Sequence, residues 1–329
     1  GICPIRGHSN VQGDRTMGID EKPGAAFLDR LGRTFDFTPP HQEGLGTVDT
    51  IAAMLDGRVQ VFVAMGGNFA AAAPDTERTA EALRRCRLTV HVATKLNRSH
   101  VVHGQDALVL PCLGRTELDL QRGESQAVTV EDSMSQVHLS RGRNVPASEH
   151  LLSEPMIVAR MAVATLPDDG WPWMEWASDY ARIRDLIAQV FPDFHDFNAR
   201  VAVPGGFRLP NSAAQRRWAT PEGRAVFRPQ QLAAKELAPG QMLLSTLRSH
   251  DQYNTTVYGL NDRYRGVRGE RRVLFMHPED LQALGLSEGD PVDLEAAPRP
   301  DGRPRRARGF RERSYDIPRG CLAAYYPPT

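Results

Sequence analysis

Val59-Gln60-Val61-Phe62-Val63-Ala64-Met65-Gly66-Gly67-Asn68 is the stretch that decides how the first half of the chain is read. An almost unbroken apolar run of this length, stopped by a glycine pair, fits a buried strand of a parallel sheet. Upstream, Thr47 or Asp49 can cap a short helix running through Leu55. Downstream, after Pro74-Asp75-Thr76, the spacing of Ala80, Leu83 and Cys86 suits a second helix. It has acid near its start and Arg84, Arg85 and Arg87 near its end, the arrangement a helix dipole favours. Leu88 to Ala93 reads as the next strand and Ala107 to Leu110 as a third. Strands joined by ten-residue helices imply right-handed crossovers, so residues 1–165 are expected to form a Rossmann-like α/β domain.

The remainder changes character twice. Trp173, Trp176, Tyr180, Ile183, Ile187 and Val190 follow helical spacing, giving a helical connector over 166–204 with one apolar stripe. Such a stripe is core more often than a ligand box, and here it must dock on a neighbouring domain or partner. From Gly205 short strands are expected at 224–228, 241–247, 271–276 and 291–296, with one short helix from His277 to Leu284. This pattern predicts a second, β-rich domain over 205–329, a small barrel. Eight arginines between Arg299 and Arg319 read either as a mobile basic loop or as an anion clamp.

Composition bounds the function. The 329 residues match 40 Lys and Arg against 40 Asp and Glu, so no global field attracts nucleic acid or an anionic membrane. No run reaches the ~18 apolar residues of a membrane span, and the first residues lack the order of a signal peptide. A cytoplasmic protein without membrane insertion is expected. Cysteines at 3, 86, 112 and 321 are too far apart for a sequence-local zinc or iron-sulfur motif, which favours reduced structural thiols. The start at Gly1, inside a polar, glycine-rich stretch, suggests a piece of something longer.

Three loops could carry chemistry. Met65-Gly66-Gly67-Asn68 lies at the carboxyl end of a predicted parallel strand, where open α/β sheets bind ligands. Its glycines allow close backbone approach, although a plain turn is the competing reading and the dinucleotide fingerprint GxGxxG is absent. Ser9 to Thr16 concentrates amides, a carboxylate and an arginine, either as a recognition loop or as a turn bonded to itself. Ser245 to Thr256 is dominated by hydrogen-bonding side chains and could grip a polar heterocycle with a diphosphate, Arg248 meeting the anion. His100 and His103 lack further metal ligands nearby and read as ordinary surface or core histidines. No hydrolase or phosphoryl-transfer motif is found, and no catalytic residue or metal ligand is assigned.

Ile2-Cys3-Pro4-Ile5-Arg6-Gly7-His8-Ser9-Asn10-Val11-Gln12-Gly13 with Met17-Gly18, Met65-Gly66-Gly67-Asn68, Thr220 to Arg224, Leu244 to Arg248 and Tyr315 to Cys321 together resemble the molybdopterin guanine dinucleotide oxidoreductases. The likeness is specifically to their formate-dehydrogenase-like alpha subunits, and it extends over nearly the whole chain. The resemblance implies the carboxyl-terminal half of a longer subunit, ending in a double-psi β-barrel whose last strand would follow Tyr326. It implies molybdopterin guanine dinucleotide carrying Mo or W, and a 4Fe-4S cluster held, like the metal, by the missing amino-terminal half. A small-molecule substrate and an electron-transfer partner follow from the same likeness. By motif position, the cofactor contacts implied are Gln12, Gly13, Gly66, Gly67, Asn68, Thr94 and Lys95 in the first domain. In the barrel they are Thr246, Arg248, Gln252, Tyr253 and Asn254. The rival reading is a non-catalytic scaffold fragment whose glycine loops are only turns and whose Trp173 and Trp176 face docks a partner.

Overall fold

Strands β1 (Val61–Met65), β2 (Leu88–Ala93) and β3 (Asp106–Pro111) lie side by side in that order, all parallel. This computed structural model describes residues 10–166, 170–231, 236–253, 257–298, 302 and 304–326. The motif residues Ile2 to Ser9, the cofactor-contact candidate Asn254, and Arg299 and Arg303 therefore lie outside the described residues.

The helix Thr76–Arg85 starts where Asp75 accepts a hydrogen bond from the Arg78 N–H, and helix Thr47–Leu55 packs beside it. Between them and the sheet, Ile51, Met54, Ala82 and Cys86 form a core that Phe62 joins from β1. Only β2 meets the expectation of a strand buried on both faces, since Thr89 to Val92 are all buried. On β1 the alternate residues Val61, Val63 and Met65 are about half exposed. The apolar run is real, but helices cover one face of this strand and not the other.

The connector holds three helices, Trp173–Ser178, Tyr180–Val190 and Phe197–Ala202, with a single turn at Pro192–Phe194; the first two are broken at Asp179, whose carboxylate accepts the Ala181 N–H and caps the second. The aromatic residues pack within the same unit: Trp176 meets Trp171, Trp173 and Phe35 at ring separations of 5.6, 5.2 and 6.2 Å. Phe35 ends the helix Ala25–Phe35. A small antiparallel sheet of Val128–Glu131, Gln136–Ser140 and Phe207–Arg208 completes what the periodicity did not announce. Asp132 sets its turn by accepting the N–H groups of Met134 and Gln136.

The chain divides into two units between Val226 and Phe227. In the second, β4 (Leu243–Leu247), β5 (Val273–Met276), β6 (Pro291–Glu295), β7 (Arg306–Ser314) and β8 (Cys321–Tyr325) form one mixed sheet, ordered β6-β7-β5-β8-β4. β5 pairs parallel to β7, and β8 parallel to β4. Residues alternate between two cores: Leu274, Met276, Leu322 and Ala324 on one face, Val273, Phe275, Ala323 and Tyr325 on the other. The short helix Pro278–Ala283 adds Leu281 to the first core.

Two expectations are corrected here. Residues 224–228 form no strand. Much of the arginine-rich stretch is strand β7 rather than a loop, and its charges are paired along the sheet: Arg306 with Glu295, Arg313 with Glu270, and beyond it Arg319 with Glu279. Cross-strand pairing of opposite charges stabilises an exposed face that has few apolar residues to bury. Among the described residues no helix is long and apolar enough to cross a membrane.

Candidate functional site

Each unit offers one candidate site loop. In the first, Gly66 and Gly67 follow β1 with φ of 70° and 73°, a left-handed conformation that side chains resist. Nothing lies within 4 Å of where either Cβ would be, so this backbone faces open space. The loop is tied down from behind. The Gly66 N–H donates to the Val92 carbonyl at 2.7 Å, the Asn97 amide to the Gly67 carbonyl at 2.8 Å, and the Ser99 hydroxyl to Asn68 Oδ1 at 3.2 Å. Asn97 in turn receives the Ser99 N–H and caps the single turn Arg98–His100. Asn97→Ala is expected to cost about 1 kcal/mol of stability, with faster amide hydrogen exchange confined to residues 66–70; unchanged exchange there would show that the clamp is inert.

Under this clamp sit the buried His91 and the half-buried His100. His91 of β2 and His100 have ring centres 5.1 Å apart, and neither Nε2 atom has a hydrogen-bond partner among the described residues. Burial, and then the neighbouring His100, hold His91 below the ordinary imidazole range, so it is neutral at physiological pH. The His91 ring packs against His100 as part of the wall behind the loop. Burial also pushes the Cys86 and Cys112 thiols up, which keeps them unreactive.

A cavity of about 1350 Å³ opens in the first unit, lined at the carboxyl ends of the strands by Gly66, Thr94 and Gly114, and elsewhere by Phe35, Trp171 and Trp176. Asn10 and Asp14, on either side of Gln12 and Gly13, line it as well. The structure thus brings the helix Val11–Thr16 to the same cavity as Gly66 and Thr94. Gly13 is buried, and a Cβ there would fall 2.1 Å from Asn10 Oδ1, the atom that accepts the Glu131 N–H. Lys95 is exposed beside Thr94. Sequence reasoning passed over Glu117, whose carboxylate accepts the N–H groups of Gly114 and Ala147 and pins two loops at the cavity.

In the second unit, Thr246 is exposed on edge strand β4, and Arg248 follows it with an exposed guanidinium. Gln252 is engaged in bracing: its Oε1 accepts from Arg271 at 2.8 Å and its amide donates to the Tyr326 carbonyl at 2.9 Å. Tyr253 is 55% exposed and is bridged through its backbone to Val257. Beneath this loop lie residues the sequence reading did not single out. Arg271, 2% exposed, donates to Ser249 Oγ at 2.9 Å and lies over the Tyr258 ring at 3.9 Å. Asp262, 1% exposed, accepts from Tyr325 at 2.9 Å, Arg265 at 2.8 Å, His250 at 3.1 Å and the Tyr264 N–H at 3.1 Å. Burial alone would raise this carboxyl, but the Tyr325, Arg265 and His250 hydrogen bonds prevail and bring it to about 2.

Residues 242–303, which hold this second loop together with Asp262, Arg265 and Arg271, match the family described as the molydopterin dinucleotide binding domain. The likeness to molybdopterin dinucleotide oxidoreductases drawn from the motifs is thereby borne out. Over its whole length the chain is similar to the "Uncharacterized oxidoreductase Rv2900c" of Mycobacterium tuberculosis H37Rv, with 53% identity over 335 aligned positions. It is also similar to "Protein YdeP" of Escherichia coli K12, with 47% identity over 338. In both cases all of this chain is covered, but only 43% and 44% of those proteins, so the chain spans less than half of their length.

Proposed function

We propose that this chain is the dinucleotide-binding, carboxyl-terminal part of a formate-dehydrogenase-like molybdenum or tungsten oxidoreductase subunit, and that its second unit belongs to a double-psi barrel. The observation that carries this reading is the coincidence of the matched segment 242–303 with an exposed, braced loop presenting Thr246 and Arg248. The residues suit the group: an exposed guanidinium for a diphosphate or a guanine edge, and a glycine backbone open to close approach at Gly66 and Gly67. When bound, the metal and its pterins supply two-electron redox chemistry, and the protein contributes binding and orientation. Arg248 would anchor one dinucleotide, while Gly66, Gly67 and Thr94 would receive the other.

Among the described residues no group of three His, Cys, Asp or Glu side chains could hold a metal ion. We assign the metal and cluster ligands to the remainder of the longer subunit, which would also cover the bare face of β1. The test is the full-length subunit, purified and assayed for metal by elemental analysis and for pterin by fluorescence of the released, oxidised cofactor. Stoichiometric metal with two pterins is expected, and Arg248→Ala should lower dinucleotide retention about tenfold or more. A folded wild-type subunit with neither metal nor pterin would overturn the reading in favour of a scaffold.

A further inference from the structure

Arg248 carries the proposed dinucleotide contact, and next to it the Ser249 N–H donates to Gln252 Oε1 at 3.3 Å. The Arg248 backbone has a long-range partner: the Arg265 guanidinium donates to the Arg248 carbonyl at 3.3 Å. The same Nη1 atom of Arg265 is bound to Asp262 Oδ2 at 2.8 Å. Asp262 is anchored in turn to the sheet through the Tyr325 hydroxyl of β8 at 2.9 Å. Its backbone also pairs in both directions with Val267, which is buried in the core on that face of the sheet.

The histidine completes the arrangement. His250 Nδ1 is 3.1 Å from Asp262 Oδ1 and donates to it; Arg265 Nη1, 3.2 Å from that nitrogen, is then a neighbour and not a donor to it. The His250 ring lies 4.3 Å from the ring of Tyr264. One buried carboxylate therefore holds both ends of the segment that follows β4: the Arg248 carbonyl through Arg265, and His250 directly. Such a charge-assisted, fully occupied carboxylate is stiff, and its loss frees the groups it held.

Building on the proposed dinucleotide reading, we infer that Asp262 is a positioning residue for the dinucleotide loop, setting the backbone of Arg248 through Arg265 so that the guanidinium is presented before ligand arrives. Pre-organisation of this kind removes an ordering cost that binding would otherwise carry. Arg265 is the transmitting residue, and Tyr325 only anchors the carboxylate to the sheet.

The experiment is a mutant cycle in the full-length subunit, reading dinucleotide retained per folded protein after extended dialysis, alongside the thermal midpoint. Asp262→Asn and Arg265→Gln are each expected to lower retention about as much as Arg248→Ala, roughly tenfold. Combining Asp262→Asn with Arg248→Ala should lower it no further, because both act on one contact. Tyr325→Phe should lower the thermal midpoint.

Additive losses in the double variant, or full retention in Arg265→Gln, would overturn the positioning role while leaving the dinucleotide reading intact. If Asp262→Asn fails to fold, Arg265→Gln with its own double variant decides the matter. Unchanged retention in Arg248→Ala would overturn both.

Discussion

Replacing Gly142 by alanine is expected to destabilise the first unit by about 3 kcal/mol or more, at the upper end of what overpacking costs. A Cβ at this position would lie 1.8 Å from the Glu117 carbonyl oxygen and 2.3 Å from its carbon. Both are main-chain atoms of a segment held on either side. The Arg143 and Asn144 N–H groups donate to the Thr116 carbonyl, and the Leu118 N–H donates to the Asn144 carbonyl. The Glu117 carboxylate accepts the Gly114 and Ala147 N–H groups. The two loops cannot separate without breaking this set, and with it the lining of the cavity at Gly114 and Glu117. Gly123→Ala supplies the comparison. That glycine has φ of 82° but open space at the Cβ, so it should cost only about 1 kcal/mol. Chemical denaturation of the two variants checks the difference, and equal costs would mean that the loops yield freely at Gly142.

Glu312→Gln is expected to stabilise the second unit at pH 8 by about 3 kcal/mol and to have little effect at pH 4.5. Glu312 lies on β7 with none of its surface exposed, and neither carboxylate oxygen has a hydrogen-bond partner among the described residues. Burial, and secondarily the Asp290 charge, raise its pKa from 4.5 to about 7. The folded state therefore keeps a proton that the unfolded state gives up between these values. Stability is fully present below pH 4.5, falls by about 1.4 kcal/mol per unit as pH rises, and levels off above pH 7. Asp262 acts with the opposite sign and in a separate window, since its depressed carboxyl costs stability only as pH falls from 3.8 towards 2. Subtracting the variant's pH profile from that of the wild type isolates the Glu312 contribution. A flat difference would show that Glu312 has a charge partner.

The arginine-rich stretch shows how a correct composition can mislead. Few apolar residues and many like charges read as a loop, yet Arg306–Ser314 is the longest strand of the second sheet. Its charges are offset by Glu270, Glu288, Asp293 and Glu295, none of which is adjacent to it in sequence. The tryptophan stripe was more legible. Helical spacing put its residues on one helix face, but the structure turns that face to the cavity and sets Trp176 against Phe35, a contact the spacing does not contain.

What the sequence by itself determined is what depends on near neighbours: the three parallel strands, the helix Thr76–Arg85, the glycine pair at a strand's carboxyl end, and the polar loop after β4 with Arg248. Periodicity, capping and turn chemistry are properties of a few consecutive residues, so they can be read along a line. The tertiary structure alone decided that β1 is covered on one face, and that Asp262 joins Tyr325 across 63 positions while also bracing Arg248 through Arg265. It also decided that Gly142 meets Glu117 and that Glu312 is sealed without a hydrogen-bond partner among the described residues. These are contacts between segments far apart in the chain. Their energies come from burial and charge pairing, which exist only once the strands have met.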